Sequence, residues 1–315
     1  GAVRFDDNSA FGTNFDAAVY PKAMGSWVVS EEDFWDSALG LDEFRLRGAW
    51  GKSGQQPDAF AATRLYTPIT GPGQGALTPM AIGNPDLGPE VGSEIELGFD
   101  GSLLDDRVGL EFTWYSRTTQ DAIVAAPVRG SVGFPGVQML NIGQTSSWGT
   151  ETAINFQVLV QDPVRWDLNL AFASMGNMID DMGGLESLVV TASQGSMNAR
   201  GQYHVEGFPI AGLFEREVVS ADFVPGTSGA VTNVMCDGGT GIGGREMGGA
   251  PTPCADATQV FFGSGDPTWQ VHLNSVWTLM EDWRFAVTLD AQGGNWLNGD
   301  YIAGQNTRHA EKTIR

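Results

Sequence analysis

The feature that most constrains this chain is a strict alternation of apolar and polar residues, arranged in pairs of segments that meet at short turns. After Asn84, the residues Ile95, Leu97 and Phe99 oppose Glu94, Glu96 and Asp100. Beyond the turn GSLLDD, Val108, Leu110, Phe112 and Trp114 oppose Arg107, Glu111, Thr113 and Tyr115. A period of two is the mark of β-strands whose faces meet different surroundings. The pattern recurs. Ile154, Phe156, Val158 and Val160 alternate with Glu151, Asn155 and Gln157, and after the QDPV turn Trp166, Leu168, Leu170 and Phe172 oppose Asp167 and Asn169. A third hairpin sets Trp269, Val271, Leu273 and Trp277 against Gln270, His272 and Asn274, then Phe285, Val287 and Leu289 against Arg284 and Asp290. Upstream, Phe44, Leu46 and Trp50 oppose Arg45 and Arg47.

Connections alternate as regularly as side chains. Short turns at GSLLDD, VQDPV and LMED are followed by long loops at roughly 54–91, 125–147 and 179–265. Short turns at one end and long loops at the other characterise an outer-membrane β-barrel, whereas a soluble sandwich has short turns at both ends. The expected strands run over 9–15 residues, near the length that crosses a bilayer at a tilt. Trp166 and Trp283 sit beside short turns, and Trp148 and Trp269 beside long loops, as two interfacial girdles require. In such a barrel Ile95, Leu97, Phe112 and Trp114 face lipid, and Glu94, Glu96, Glu111 and Glu151 face a wet lumen. No apolar run is long enough for a transmembrane helix, and the N-terminus has no secretory pattern.

Composition removes several function classes. With 38 acidic and 17 basic residues the net charge is −21, which repels phosphates and argues against nucleic acid as a partner. The two cysteines, Cys236 and Cys254, flank a Gly/Pro-rich stretch; a disulfide closing it is the leading reading, two free thiols the alternative. Three scattered histidines, His204, His272 and His309, do not make a zinc site, and no cofactor is expected. No nucleophile elbow occurs. Residues Gly239–Gly244 satisfy G-x-G-x-x-G in letters only, without a strand before or a helix after, and read as a flexible loop. Asp180-Asp181 and Glu31-Glu32-Asp33 read as solvated rim charges rather than a glycosidase pair.

Three blocks carry a resemblance. The motif Asn84-Pro85-Asp86-Leu87-Gly88-Pro89-Glu90, followed by strand, short acidic turn and aromatic return strand, resembles the NPDLKPE-type loop and hairpin of TonB-dependent outer-membrane receptors. The segment from Arg4 to Trp35, with LRGAWGKSGQ after it, is similar to the SusC/RagA-like branch, as is NIGQTSSWGTETAINFQV. Asp7 and Gln55 depart from that pattern. The resemblance implies a fragment, residues 1–315 as a single domain, contributing about eight or nine strands of a roughly 22-stranded barrel, without plug or TonB-contacting segment. It further implies uptake of an oligosaccharide or peptide with a SusD-like surface lipoprotein and TonB as partners, outer-membrane lipid around the wall, and no catalysis. Pro85 and Pro89 are expected to end a loop and start a strand. An isolated fragment of this kind, with two open edges, should neither transport nor stay soluble.

Two other readings stand beside it: a siderophore- or cobalamin-type receptor of the same architecture, and a soluble secreted β-sandwich or propeller that binds or hydrolyses glycans. They are separated by whether Phe112, Trp114, Phe156, Phe172 and Val287 lie outside an open sheet or inside a closed core. Cargo contacts are expected from loop aromatics: Phe60, Tyr66, Phe134, Tyr203, Phe208 and Phe214.

Overall fold

The structure, a computed structural model, describes all residues except 16, 36–39, 72–74, 193–200, 228, 281 and 297–315, with the backbone alone at 191–192. His309 and the terminal HAEKTIR therefore lie outside the described residues. The strands are β1 (Ala2–Asp6), β2 (Ala18–Val28), β3 (Leu41–Gln55), β4 (Leu65–Thr70), β5 (Gly75–Ala81), β6 (Glu90–Leu103), β7 (Val108–Pro127), β8 (Val137–Gln161) and β9 (Val164–Asp181). There follow β10 (Leu188–Ala192), β11 (Gly201–His204), β12 (Gly212–Glu215), β13 (Val218–Phe223), β14 (Val231–Asp237), β15 (Pro251–Pro253), β16 (Val260–Gly263), β17 (Trp269–Leu279) and β18 (Trp283–Gly293).

Two compact units result. The first, Gly1–Glu186 with Trp269–Gln292, holds a nine-stranded sheet in the order β1-β2-β3-β6-β7-β8-β9-β17-β18 and the small β4-β5 hairpin. Directly paired residues share a face, so the registers give continuous rows. One apolar row runs Trp27, Leu46, Phe99, Phe112, Thr152, Phe172, Val271. Its neighbour runs Gly48, Leu97, Trp114, Thr150, Ser174, Trp269. In a dry core these residues would be covered. Instead Leu97 is 51% exposed, Phe172 40% and Val287 47%, and the face is open. That excludes the sandwich reading for this sheet.

The apolar band has the right height. Trp269 and Trp277 share this face eight residues apart in β17, about 27 Å along a strand. At a barrel tilt of ~40° that is roughly 21 Å, close to the ~25 Å apolar belt of outer-membrane barrels. Trp277 stacks on Trp166 at 5.8 Å, and Trp166 donates its indole N–H to Ser275 Oγ at 2.9 Å. Apolar faces with such aromatic margins suit a bilayer whose interface accepts an indole N–H.

Three expectations need correction. Strands reach 20 residues in β7 and 25 in β8, longer than the expected range. The cause is that most of the expected loop 125–147 pairs as a continuation of the β7-β8 hairpin, Ala122 to Pro127 against Gly143 to Val137. Second, Val158 and Val160 do not continue the Ile154 and Phe156 side. The β8-β9 register shifts between Gln157 and Leu159, which brings Leu159 opposite Trp166 and Val160 opposite Arg165. Such a bulge puts two residues against one and reverses the side-chain phase beyond it. Arg107 secures it, donating from its guanidinium to the carbonyls of Gln157 and Val158 at 2.9 Å each.

The third concerns the connection at 179–265, which is not an unstructured loop. Its residues build the second unit, Ser187–Thr268 with Gly293–Arg315, around a four-stranded sheet β10-β11-β12-β16 and a three-stranded sheet β13-β14-β15. Val205, Phe208 and Phe214 form its core, with Tyr203 and Phe261 packed on them.

Candidate functional site: a polar wall and a clasp of loop motifs

Opposite the apolar rows, the nine-stranded sheet carries a polar wall. The row Arg47, Gly98, Thr113, Glu151, Ala173, Gln270 crosses six strands. Arg47 donates from Nε to Asp100 Oδ1 at 2.9 Å and from Nη2 to Thr113 Oγ1 at 2.8 Å. It reaches Thr113 two strands away because the intervening residue is Gly98, where a Cβ would fall 2.5 Å from the Phe112 carbonyl oxygen and 3.2 Å from the guanidinium carbon. A second row aligns Asn155, Asn169 and Asn274 on β8, β9 and β17. His272 Nδ1 and Asp290 Oδ1 meet at 2.6 Å between β17 and β18. Of these groups Arg47, Thr113, Glu151, Gln270, His272 and Asp290, with Glu111, line a depression of about 590 Å³. Such a wall offers donors and acceptors of both signs to a hydrated passage. Glu111 and Glu151 stand on it, while Asp180 accepts from Ser146 Oγ at 3.0 Å and Asp181 from Gly183 N at 2.7 Å.

At the long-connection end, parts of the three sequence blocks that carry the family resemblance meet in one hydrogen-bonded clasp. The Asn84–Glu90 motif lies between residues 11–15 and the start of β8. Asn141 grips it from β8: Oδ1 accepts from Gly88 N at 2.7 Å, and Nδ2 donates to Gly88 O at 3.0 Å and to Asp121 O at 2.9 Å. Asn84 Nδ2 donates to Met139 O at 2.9 Å, and its Oδ1 accepts from Asp86 N at 3.0 Å. From the other side Gly12 N donates to Leu87 O at 2.7 Å, Asn14 N to Pro85 O at 3.0 Å, and Asn14 Nδ2 to Asp86 Oδ1 at 2.7 Å. Position 12 must be glycine here, since a Cβ would lie 2.1 Å from Pro85 O.

Leu87 is fully buried in the clasp, and Phe11 packs edge-on against Phe15 at 5.2 Å. Glu90 Oε1 accepts from Ile123 N at 2.8 Å beside the register shift of β7, so the motif's last residue also caps an irregularity. Pro85 sits in the turn before Leu87, and Pro89 immediately precedes β6, consistent with a proline's fixed φ and missing donor. Sequence reading singled out Asn84 to Glu90 and passed over Asn141 and Gly12; the signal was present, because both stand in the other two blocks.

In the second unit Cys236 and Cys254 are bonded, and Cys236 is fully buried. The adjacent Asp237 organises the glycine-rich stretch. Its Oδ1 accepts from Gly239 N and Gly249 N at 2.8 Å, and its Oδ2 from Gly248 N at 2.7 Å. These backbone donors, Gly248 first, hold the carboxyl below the usual aspartate range. The stretch Gly239–Gly244 is thus anchored to a carboxylate through Gly239, and it follows strand β14, which corrects the expectation of no strand before it. His204 accepts from Ala211 N at Nδ1, 3.1 Å, and burial lowers its pKa, both favouring the neutral ring.

The six loop aromatics divide. Phe208 is 5% exposed and Phe214 is 1% exposed, so these two are core residues and not stacking surfaces, a correction. Tyr203 packs edge-on against Phe214 at 6.1 Å, with its hydroxyl accepting from Gln259 Nε2. In the first unit Phe60 and Tyr66 are exposed, and Tyr66 meets Phe134 edge-on at 5.7 Å.

Comparison with known proteins agrees with this architecture. The family described as TonB dependent receptor-like, beta-barrel matches residues 1–307. TonB-dependent receptor P26 of Formosa agariphila is 30% identical over 204 residues, 62% of this chain and 20% of that protein. TonB-dependent receptor SusC of Bacteroides thetaiotaomicron is 26% identical over 209 residues, 63% of this chain and 21% of that protein. The chain therefore spans about a fifth of the length of these curated relatives. Among solved structures, the RagAB peptide transporter superposes with a TM-score of 0.77 at 19% identity, covering 94% of this chain and 31% of that chain, a likeness of fold. With a matched model over nearly its whole length, an open apolar face and a polar wall behind it, the chain belongs to the TonB-dependent receptor β-barrel family.

Proposed function

We propose that the chain is part of the barrel of an outer-membrane receptor that imports a bulky nutrient, an oligosaccharide or a peptide, using energy delivered through TonB. The receptor is of the SusC/RagA-like branch and works with a SusD-like surface lipoprotein. Residues 1–315 act as a single domain, with the second unit an elaborated connection between β9 and β17. The observation that carries the reading is the sheet with an exposed apolar face, at Leu97 and Phe172, and an opposite polar face carrying half-buried Arg47 and Thr113 and exposed Glu151. Lipid suits the first and a hydrated lumen the second. The blocks that join in the clasp favour the SusC/RagA-like branch over the siderophore type. The chain's task is to bind and guide, with no covalent step.

The test is uptake by intact cells carrying the full-length receptor, supplied with fluorescent oligosaccharides and peptides. Accumulation should require the receptor and cease when TonB is depleted. Accumulation that is indifferent to TonB would refute the reading.

A further inference from the structure

Acids outnumber bases by 38 to 17 in this chain, and several of its arginines are held by carboxylates. Arg4, Arg45, Arg47, Arg117 and Arg165 each pair with a carboxylate. Arg64 does not: among the described residues its guanidinium has no carboxylate partner and lies 5.5 Å from the centroid of Phe134. Tyr66, two residues on, meets the same ring edge-on at 5.7 Å and 62°. Arg64 is exposed and Tyr66 is 48% exposed.

Backbone segments on both sides of this cluster are hydrogen-bonded. Phe134 stands in the β7-β8 turn, closed by Val128 N donating to Gly136 O at 3.1 Å. The strand after that turn and the segment before β4 are tied to the same motif: Gln138 Nε2 donates to Gly83 O at 2.7 Å, and Asn84 N donates to Ala62 O at 3.0 Å. A preorganised cation loses less on binding than a free one. A guanidinium lying on a ring keeps its N–H edge available, and that fork matches a carboxylate.

We infer that Arg64, Tyr66 and Phe134 form a subsite for a carboxylate borne on a ring or next to an apolar group of the incoming ligand. A peptide's terminal carboxylate and a uronate of an acidic oligosaccharide share this chemistry. The subsite rests on the proposed uptake function and adds charge selection to it.

The experiment titrates the full-length receptor, purified in detergent, with two matched pairs: the tripeptide Ala-Ala-Phe and its C-terminal amide, and trigalacturonate and neutral galactotriose. At least one acid should bind about tenfold tighter than its neutral counterpart, an effect the size of one charge-assisted contact. Which pair shows the preference identifies the source of the carboxylate. Arg64→Ala should bring each acid to within about twofold of its neutral counterpart, and Arg64→Lys should retain part of the preference. Absence of binding by every probe, equal binding of acid and neutral forms, or a preference that survives Arg64→Ala overturns the subsite. An intact preference in a receptor whose uptake ignores TonB would instead mark the failure of the transport reading alone.

Discussion

Replacing Asn141 by alanine removes three hydrogen bonds to backbone groups, two on Gly88 and one on Asp121. Each is worth about 1 kcal/mol net, so the clasp should open locally with a free energy lowered by about 3 kcal/mol. Exchange of the Gly88 amide through that opening then accelerates by about two orders of magnitude. The measurement is hydrogen exchange by mass spectrometry on peptides spanning residues 84–90 in the full-length receptor. A companion variant sets the scale: Asn14→Ala removes one exposed contact to Asp86, and its effect on the same peptide should be about threefold or less. If Asn141→Ala accelerates exchange no more than Asn14→Ala does, the three-block junction is not what holds the motif, and the argument for the clasp is wrong.

Three other outcomes follow from the geometry. Leu97→Lys should reduce assembly into lipid vesicles, by about 2–4 kcal/mol if the site lies near the midplane, while Glu96→Lys on the opposite face should assemble normally; equal behaviour of the two would reverse the facing assigned to β6. Gly98→Ala forces a Cβ to within 2.5 Å of the Phe112 carbonyl, and the barrel's unfolding temperature, read from its heat-modifiable gel mobility, should fall by the equivalent of about 1–3 kcal/mol. Asp237 has a folded-state pKa below that of an unfolded aspartate, so the anion stabilises the second unit above the unfolded value near 3.9, and this contribution is lost as pH falls through the folded pKa. Asp237→Asn should therefore weaken exchange protection of residues 238–249 at pH 7 and converge with the parent at the acid end; a constant gap across pH would disprove the linkage.

The sheet was legible because alternation is a local property: each of Leu97, Phe112 and Phe172 could be assigned a face from its immediate neighbours. The β8 bulge was not, because counting by twos along one strand contains no record of the partner's spacing, and Val158 looks like any other alternating valine. The reach of β7 and β8 into the expected loop was hidden for a related reason, since Ala122 to Pro127 is apolar at every position and carries no contrast between faces. Phe208 and Phe214 failed differently. An aromatic in a long connection has the same letter whether it meets a ligand or a neighbouring loop, and only pairing of β11, β12 and β16 around them decides it. The clasp lay in between: its three blocks were visible, and their meeting was not.

The strand order also has a polarity. Nine strands, each antiparallel to its neighbour, leave β1 and β18 pointing the same way. An antiparallel seam between these two edges is geometrically impossible, so direct closure of this sheet on itself would need a parallel pair. An all-antiparallel ring has an even total, so one that contained these nine strands would need an odd number of others. Parity thus sets a selection rule for what can lie beside this sheet: among the described residues its two edge strands ask for neighbours running in the same sense as one another.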